Sequence, residues 1–157
     1  MPKKPSATDA QLIMQLYDLR REAEMRRARH WMLTEFSPRS ADDFVKVAMA
    51  LGSQENNWLR QAWSYWGMAA SFVLQGVLSE EMFLKPSISG EMFVMFAKVH
   101  PFLKELREKL GDPEAFVDIE KVVMHTKWGR ERLKFIQKRI ETWREKTQKN
   151  VEIVTTG

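Results

Sequence analysis

Apolar residues recur at three- and four-residue intervals along nearly the whole chain, and no run alternates apolar with polar residues as a half-buried strand does. That regularity leaves no material for a sheet and predicts an all-α fold. With 157 residues, 44% of them hydrophobic, the chain suits one domain with a single core. The expected architecture is a single-domain helical bundle of about six helices, with a long N-terminal helix and a basic C-terminal one.

Punctuation places the helices. The first starts at Thr8 or Asp9 and runs to about Glu35, where "SPRS" stops it because the residue before a proline avoids helical angles. Ser40 caps the second, which ends at Gly52, and Ser53 caps the third, which runs to Gln75 and closes at Gly76. "LSEEMFLKP" is a short helix capped by Ser79 and stopped before Pro86. The next spans 90 to 110, with Pro101 forcing a kink or break near His100. After Gly111, "DPE" opens a helix with an N-cap aspartate and proline at the first position. Gly129 either divides residues 112 to 147 into two helices or lies inside one. The helical domain is therefore expected at 8–147, between a flexible N-terminus (1–7) and a flexible tail (148–157).

The N-terminus lacks the apolar core of a leader peptide, and the longest uncharged stretch, residues 61 to 79, is interrupted by glutamine, serine and glycine. It reads as a buried helix, so a soluble, cytoplasmic protein is expected. No cysteine is present, which excludes disulfides, thiolate nucleophiles and Cys-ligated metals. His30, His100 and His125 occur singly, with none of the helical spacings that aim two ligands at one metal. Glycine-rich phosphate loops and nucleophile elbows are likewise missing. No metal or cofactor is predicted, and no catalytic residue is assigned.

Two places invite a partner. "LRREAEMRRARHW" (19–31) packs five arginines beside the core stripe Leu12, Leu16, Leu19, Ala23 and His30. On a continuous helix Arg21, Arg26 and Arg29 point to different sides, about 180°, 320° and 260° from Leu12, which suits solvation better than a groove of nucleic acid. His30 reads as a hydrogen-bonded core residue. Arg20, Glu24, Arg27 and Trp31 share one edge of that stripe. There they form either a polar seam between helices or, with His30, a pocket for an anionic ligand.

The second place is the C-terminus. Residues 121 to 157 carry 10 Lys+Arg against 4 Asp+Glu, a surplus of 6, whereas residues 1 to 120 carry 15 against 17. In the last helix Leu133, Ile136, Ile140 and Trp143 face the core. Arg132, Arg139 and Lys146 recur every seven residues beside them, an uncompensated ridge about 21 Å long that could follow phosphates. In the third helix Trp63 and Met68 lie off the stripe of Trp58, Ala62, Tyr65, Trp66, Ala69, Phe72 and Val73. A helix apolar nearly all round is either central or covered by a partner. The functional expectation is a non-catalytic interaction module, homo-oligomeric, with nucleic-acid or polyanion binding through the basic helix as the alternative.

One segment also resembles a known family. "WSYWGMAASFVLQGVLSEEMF" followed by "HPFLKELREKLGDPEAFVDIEKVV" is similar to a family of uncharacterised bacterial helical proteins over about residues 40 to 125. The matching positions are Gly76, Glu80, Pro101, Phe102, Arg107, Pro113, Phe116 and Glu120. The resemblance implies a helical fold and a bacterial setting, and carries no activity. Some family members look membrane-anchored through an N-terminal helix, which is not expected here.

Overall fold

A computed structural model describes residues 3–156, and among them the only regular structure is helical. Helix α1 (Ala7–Leu19) opens with a capping box: Asp9 N–H donates to Ser6 Oγ (3.3 Å) and Ser6 N–H donates to the Asp9 carboxylate (2.8 Å). The cap thus lies two residues before Thr8. Asp9 is fully buried, where it also accepts from Lys3 Nζ (2.8 Å) and from Ser79 N–H (2.7 Å). These donors, Lys3 foremost, hold its carboxyl well below the usual carboxylate range. They join the start of α1 to Ser79, seventy residues along the chain.

The long N-terminal helix is two helices. α1 ends at Leu19, and α2 (Ala23–Thr34) begins afresh with Glu22 as N-cap, its carboxylate accepting from Met25 N–H at 3.0 Å. Tertiary donors hold the open end of α1. Tyr65 Oη donates to Leu16 O (2.5 Å), and Arg29 Nη1 donates to Arg20 O (3.1 Å). The expected single wheel therefore fails past Leu19. Leu19, Ala23 and His30 are exposed, while Leu16, Met25, Ala28, Trp31 and Met32 are buried. His30 is not a core residue.

α3 (Ala41–Ala48) and α4 (Gln54–Leu74) start at Ser40 and Ser53 as the punctuation requires. α5 (Glu80–Phe83) follows Ser79. It stops before Pro86 as expected, and Pro86 begins α6 (Pro86–Val99), ahead of the expected start at 90, occupying the first position where its missing N–H costs nothing. Pro101 then converts His100–Phe102 to a 3-10 turn before α7 (Leu103–Leu110), which closes on left-handed Gly111. Asp112 and Pro113 form a turn, not a helix start. Phe116 takes the left-handed conformation (φ 61°) and α8 (Val117–Met124) begins after it. α9 (Lys127–Thr156) is separate, divided from α8 at His125–Thr126. Gly129 sits in its first turn, where a Cβ would stand 2.0 Å from Val123 O.

α4 is the central helix, packed against α2, α3 and α8, while α6 supports α9. A run of rings crosses the core: Trp31 stacks on Phe36 (4.6 Å), Phe36 meets Phe44 (5.8 Å), and Phe44 meets Trp63 (5.7 Å). Trp63 lies flat on Phe116, 4.3 Å and 6° apart. The off-stripe face of α4 at Trp63 is thus roofed by the chain's own Phe116. Met68 remains 39% exposed.

Candidate functional site

The break after Leu19 separates the residues that one continuous helix would have aligned. Arg20 stays with α1, half-buried, its guanidinium 4.8 Å over the Tyr17 ring. Glu24 and Arg27 pair with each other on the exposed side of α2. Trp31 turns inward onto Phe36, and its stacking partner is an aromatic ring. Arg27, His30 and Trp31 line an open groove against Trp58 and Gln54 of α4, whereas Glu24 lines a neighbouring one with Arg60 and Gln61. Arg20 reaches neither.

The arginine that does structural work is Arg29, which the wheel assigned to solvent. Its guanidinium grips Glu91 of α6 with two bonds, 2.7 and 2.5 Å, and both side chains are largely covered. Lys98 of α6 is also buried. Its ammonium donates to Met32 O (2.5 Å), Leu33 O (3.2 Å) and Phe36 O (2.7 Å), taking up carbonyls left free at the end of α2. Burial, with Arg144 nearby, pushes its pKa down to about 8. Neither role carries a sequence signal, because both depend on a residue more than sixty positions away.

α9 starts against the body and ends exposed. Thr126 Oγ1 accepts from Gly129 N–H (2.9 Å) at its start, and Leu133 and Ile136 are buried with Ile140 partly covered. Arg144 ties it to the body, donating to Ser37 Oγ (2.9 Å) and Pro38 O (3.1 Å), and also bonds Glu141 of its own helix (2.9 Å). Past it every described side chain is exposed. Trp143, expected in the core, is 50% exposed, and Val151 and Val154 more so. At 100° per residue, Trp143, Val151 and Val154 continue the stripe of Leu133, Ile136 and Ile140 within an arc of about 80°. The apolar seam therefore runs off the end of the body.

Arg132, Arg139 and Lys146 flank that seam on one side. Arg132 is half-buried and the other two are exposed. The guanidiniums of Arg132 and Arg139 stand 5.0 and 5.7 Å from the exposed Phe135 ring. Among the described residues the ion pairs of α9 are Lys127–Glu131 and Arg144–Glu141, so these three cations have no carboxylate partner. The C-terminal candidates thus lie along one edge, while of the N-terminal ones Arg27, His30 and Trp31 share a groove, Glu24 pairs with Arg27, and Arg20 stands apart.

Among the described residues no helix is long and apolar enough to cross a membrane, and no His, Asp or Glu cluster forms a metal site. Several positions of the family resemblance carry visible roles. Gly76 is left-handed, Glu80 bonds His125 (3.0 Å), and Arg107 donates to Ala115 O and Glu120 (3.0 and 2.6 Å), bracing the loop that holds Phe116. Neither the curated proteins nor the solved structures include a match to this chain. A family model described as a domain of unknown function, DUF4760, matches residues 5–128, from the capping box of α1 to the first turn of α9, and the chain belongs to that family.

Proposed function

We propose that this domain is a helical interaction module whose α9 docks an amphipathic helix of another protein, one with carboxylates beside its apolar face. The supporting observation is the seam of α9 itself, buried at Leu133 and Ile136, exposed at Trp143, Val151 and Val154, and edged by Arg132, Arg139 and Lys146. An exposed aromatic and aliphatic stripe with a polar rim fits helix-in-groove recognition.

Charge selects the occupant. In heptad terms Arg132, Arg139 and Lys146 all fall at g, and Arg144 at e. Parallel pairing with a second copy would set Arg139 toward Arg144, and antiparallel pairing about Trp143 would set Arg139 toward Lys146. Both arrangements oppose like charges, so the surface suits a different, acidic chain better than its own copy. A contact over about three turns is small and fits weak, salt-sensitive binding. We place the module in a reducing cytoplasm, for which the lack of cysteine is the supporting observation.

The test is fluorescence anisotropy with two labelled four-heptad peptides, leucine at a and d, carrying Glu or Lys at e and g. The Glu peptide is expected to bind, with affinity falling about 3- to 10-fold in the double variant Arg139→Glu, Lys146→Glu. Equal binding of both peptides would remove the charge argument. Binding to a single-stranded oligonucleotide or anionic vesicles, without binding to the Glu peptide, would replace the reading with polyanion or lipid recognition. A dimer by light scattering that is lost in Trp143→Ala would make a second copy the occupant.

A further inference from the structure

We propose that the junction of α1 and α2 is a binding site for one small monovalent anion of halide size. Beneath the break lies a cavity of about 30 Å³, walled by Leu16, Tyr17 and Arg20 of α1, Tyr65 and Trp66 of α4, and Ser87 of α6. That space suits a single ion or water molecule.

Two residues of the wall carry buried donors that no protein acceptor meets: Nε of Arg20 and the indole Nε1 of Trp66. Trp66 is only 2% exposed, so bulk water does not serve it. A buried donor without an acceptor is costly, and because both residues line one cavity, a single acceptor held there is the simplest way to meet the two. The Tyr65 hydroxyl donates to Leu16 O, and its oxygen accepts from neither Arg20 Nε nor Trp66 Nε1.

Charge separates an anion from a water. Arg29, the neighbour across the junction, has Glu91. Arg20 has no carboxylate partner among the described residues and rests on the Tyr17 ring, with Arg21 5.9 Å from the same ring. No Asp or Glu stands on the cavity wall. Water would satisfy the N–H groups alone, whereas a halide would accept from both donors and also pair with a half-buried guanidinium that no carboxylate meets. Bound there, the ion ties α1 to α4 at the turn where the N-terminal helix divides.

The experiment pairs crystals grown in bromide with thermal melts in chloride against gluconate at matched ionic strength. An anomalous peak between Arg20 and Trp66 is expected, and chloride should raise Tm by about 2–4 °C over gluconate, an anion too large to enter. Arg20→Gln should abolish both. Trp66→Phe, which removes the indole donor together with part of the ring, serves through its chloride-minus-gluconate difference if Arg20→Gln folds poorly. Water at the site without anomalous signal overturns the proposal. So do equal melts in the two salts, and so does a bromide peak without a stability difference, which would mean an adventitious ion only.

Discussion

Trp63 of α4 and Trp143 of α9 both sit on long helices among residues at heptad-like spacing, yet Phe116 roofs the first and the second faces solvent. Around Trp63 three separate parts of the chain converge, with Phe44 edge-on and Phe116 flat against the indole. Beside Trp143, Arg144 holds the helix to the body by its polar end. Apolar periodicity states that a face must be covered. Whether the chain covers it, or leaves it for another molecule, depends on which elements remain to be laid against it.

Four substitutions sharpen this contrast. The largest effect is expected from Phe44→Ala. Phe44 is fully buried against Phe36, Trp63 and Phe116, and urea unfolding should show a loss of about 3–5 kcal/mol. Survival of full stability there would dissolve the distinction between the ring stack and the outer seam.

Gly129→Ala comes next. Its Cβ would meet Val123 O at 2.0 Å, so α8 and α9 must part, at an expected cost of about 1–3 kcal/mol in the same assay. The cost should be smaller if α9 can shift without disturbing Leu133 and Ile136.

Lys98→Met is expected to cost about 1–2 kcal/mol at pH 7, because it strips donors from three carbonyls near the end of α2. The pH dependence has a definite sign. Folded Lys98 titrates at about 8 and the unfolded side chain near 10.5, so between these values the unfolded chain binds more protons and stability rises with pH. Unfolding midpoints at pH 7, 9 and 10 should show that rise in the parent and not in the variant. Equal slopes would show that the ammonium is not held at a charge penalty.

The smallest effect belongs to Trp143→Ala, which should leave unfolding within about 0.5 kcal/mol of the parent while weakening the Glu-peptide complex. A large loss of stability would mean that α9 is covered in the folded protein along its whole length.

Local chemistry made much of the fold legible. Ser40, Ser53 and Ser79 each cap the helix that follows, Gly52, Gly76 and Gly111 take left-handed angles, and Pro101 breaks the chain where expected. These signals act within one turn, so a few residues contain all the information. The candidate sites were less readable. Spacing found the ridge of Arg132, Arg139 and Lys146, because one unbroken helix carries it. It aligned Arg20 with Glu24, Arg27 and Trp31 and put His30 in the core, because no glycine or proline marks the break at Arg20–Glu22.

By itself, then, the sequence determined an all-helical chain, most of its caps and stops, and the basic edge of its last helix, all consequences of hydrogen bonds and periodicity inside single elements. Tertiary structure alone decided where the N-terminal helix divides, that Arg29 meets Glu91, that Lys98 closes the end of α2, and that Phe116 rather than a partner covers Trp63. Each of those outcomes depends on a carbonyl, a charge or a ring finding its complement far along the chain, and no local pattern encodes that distance.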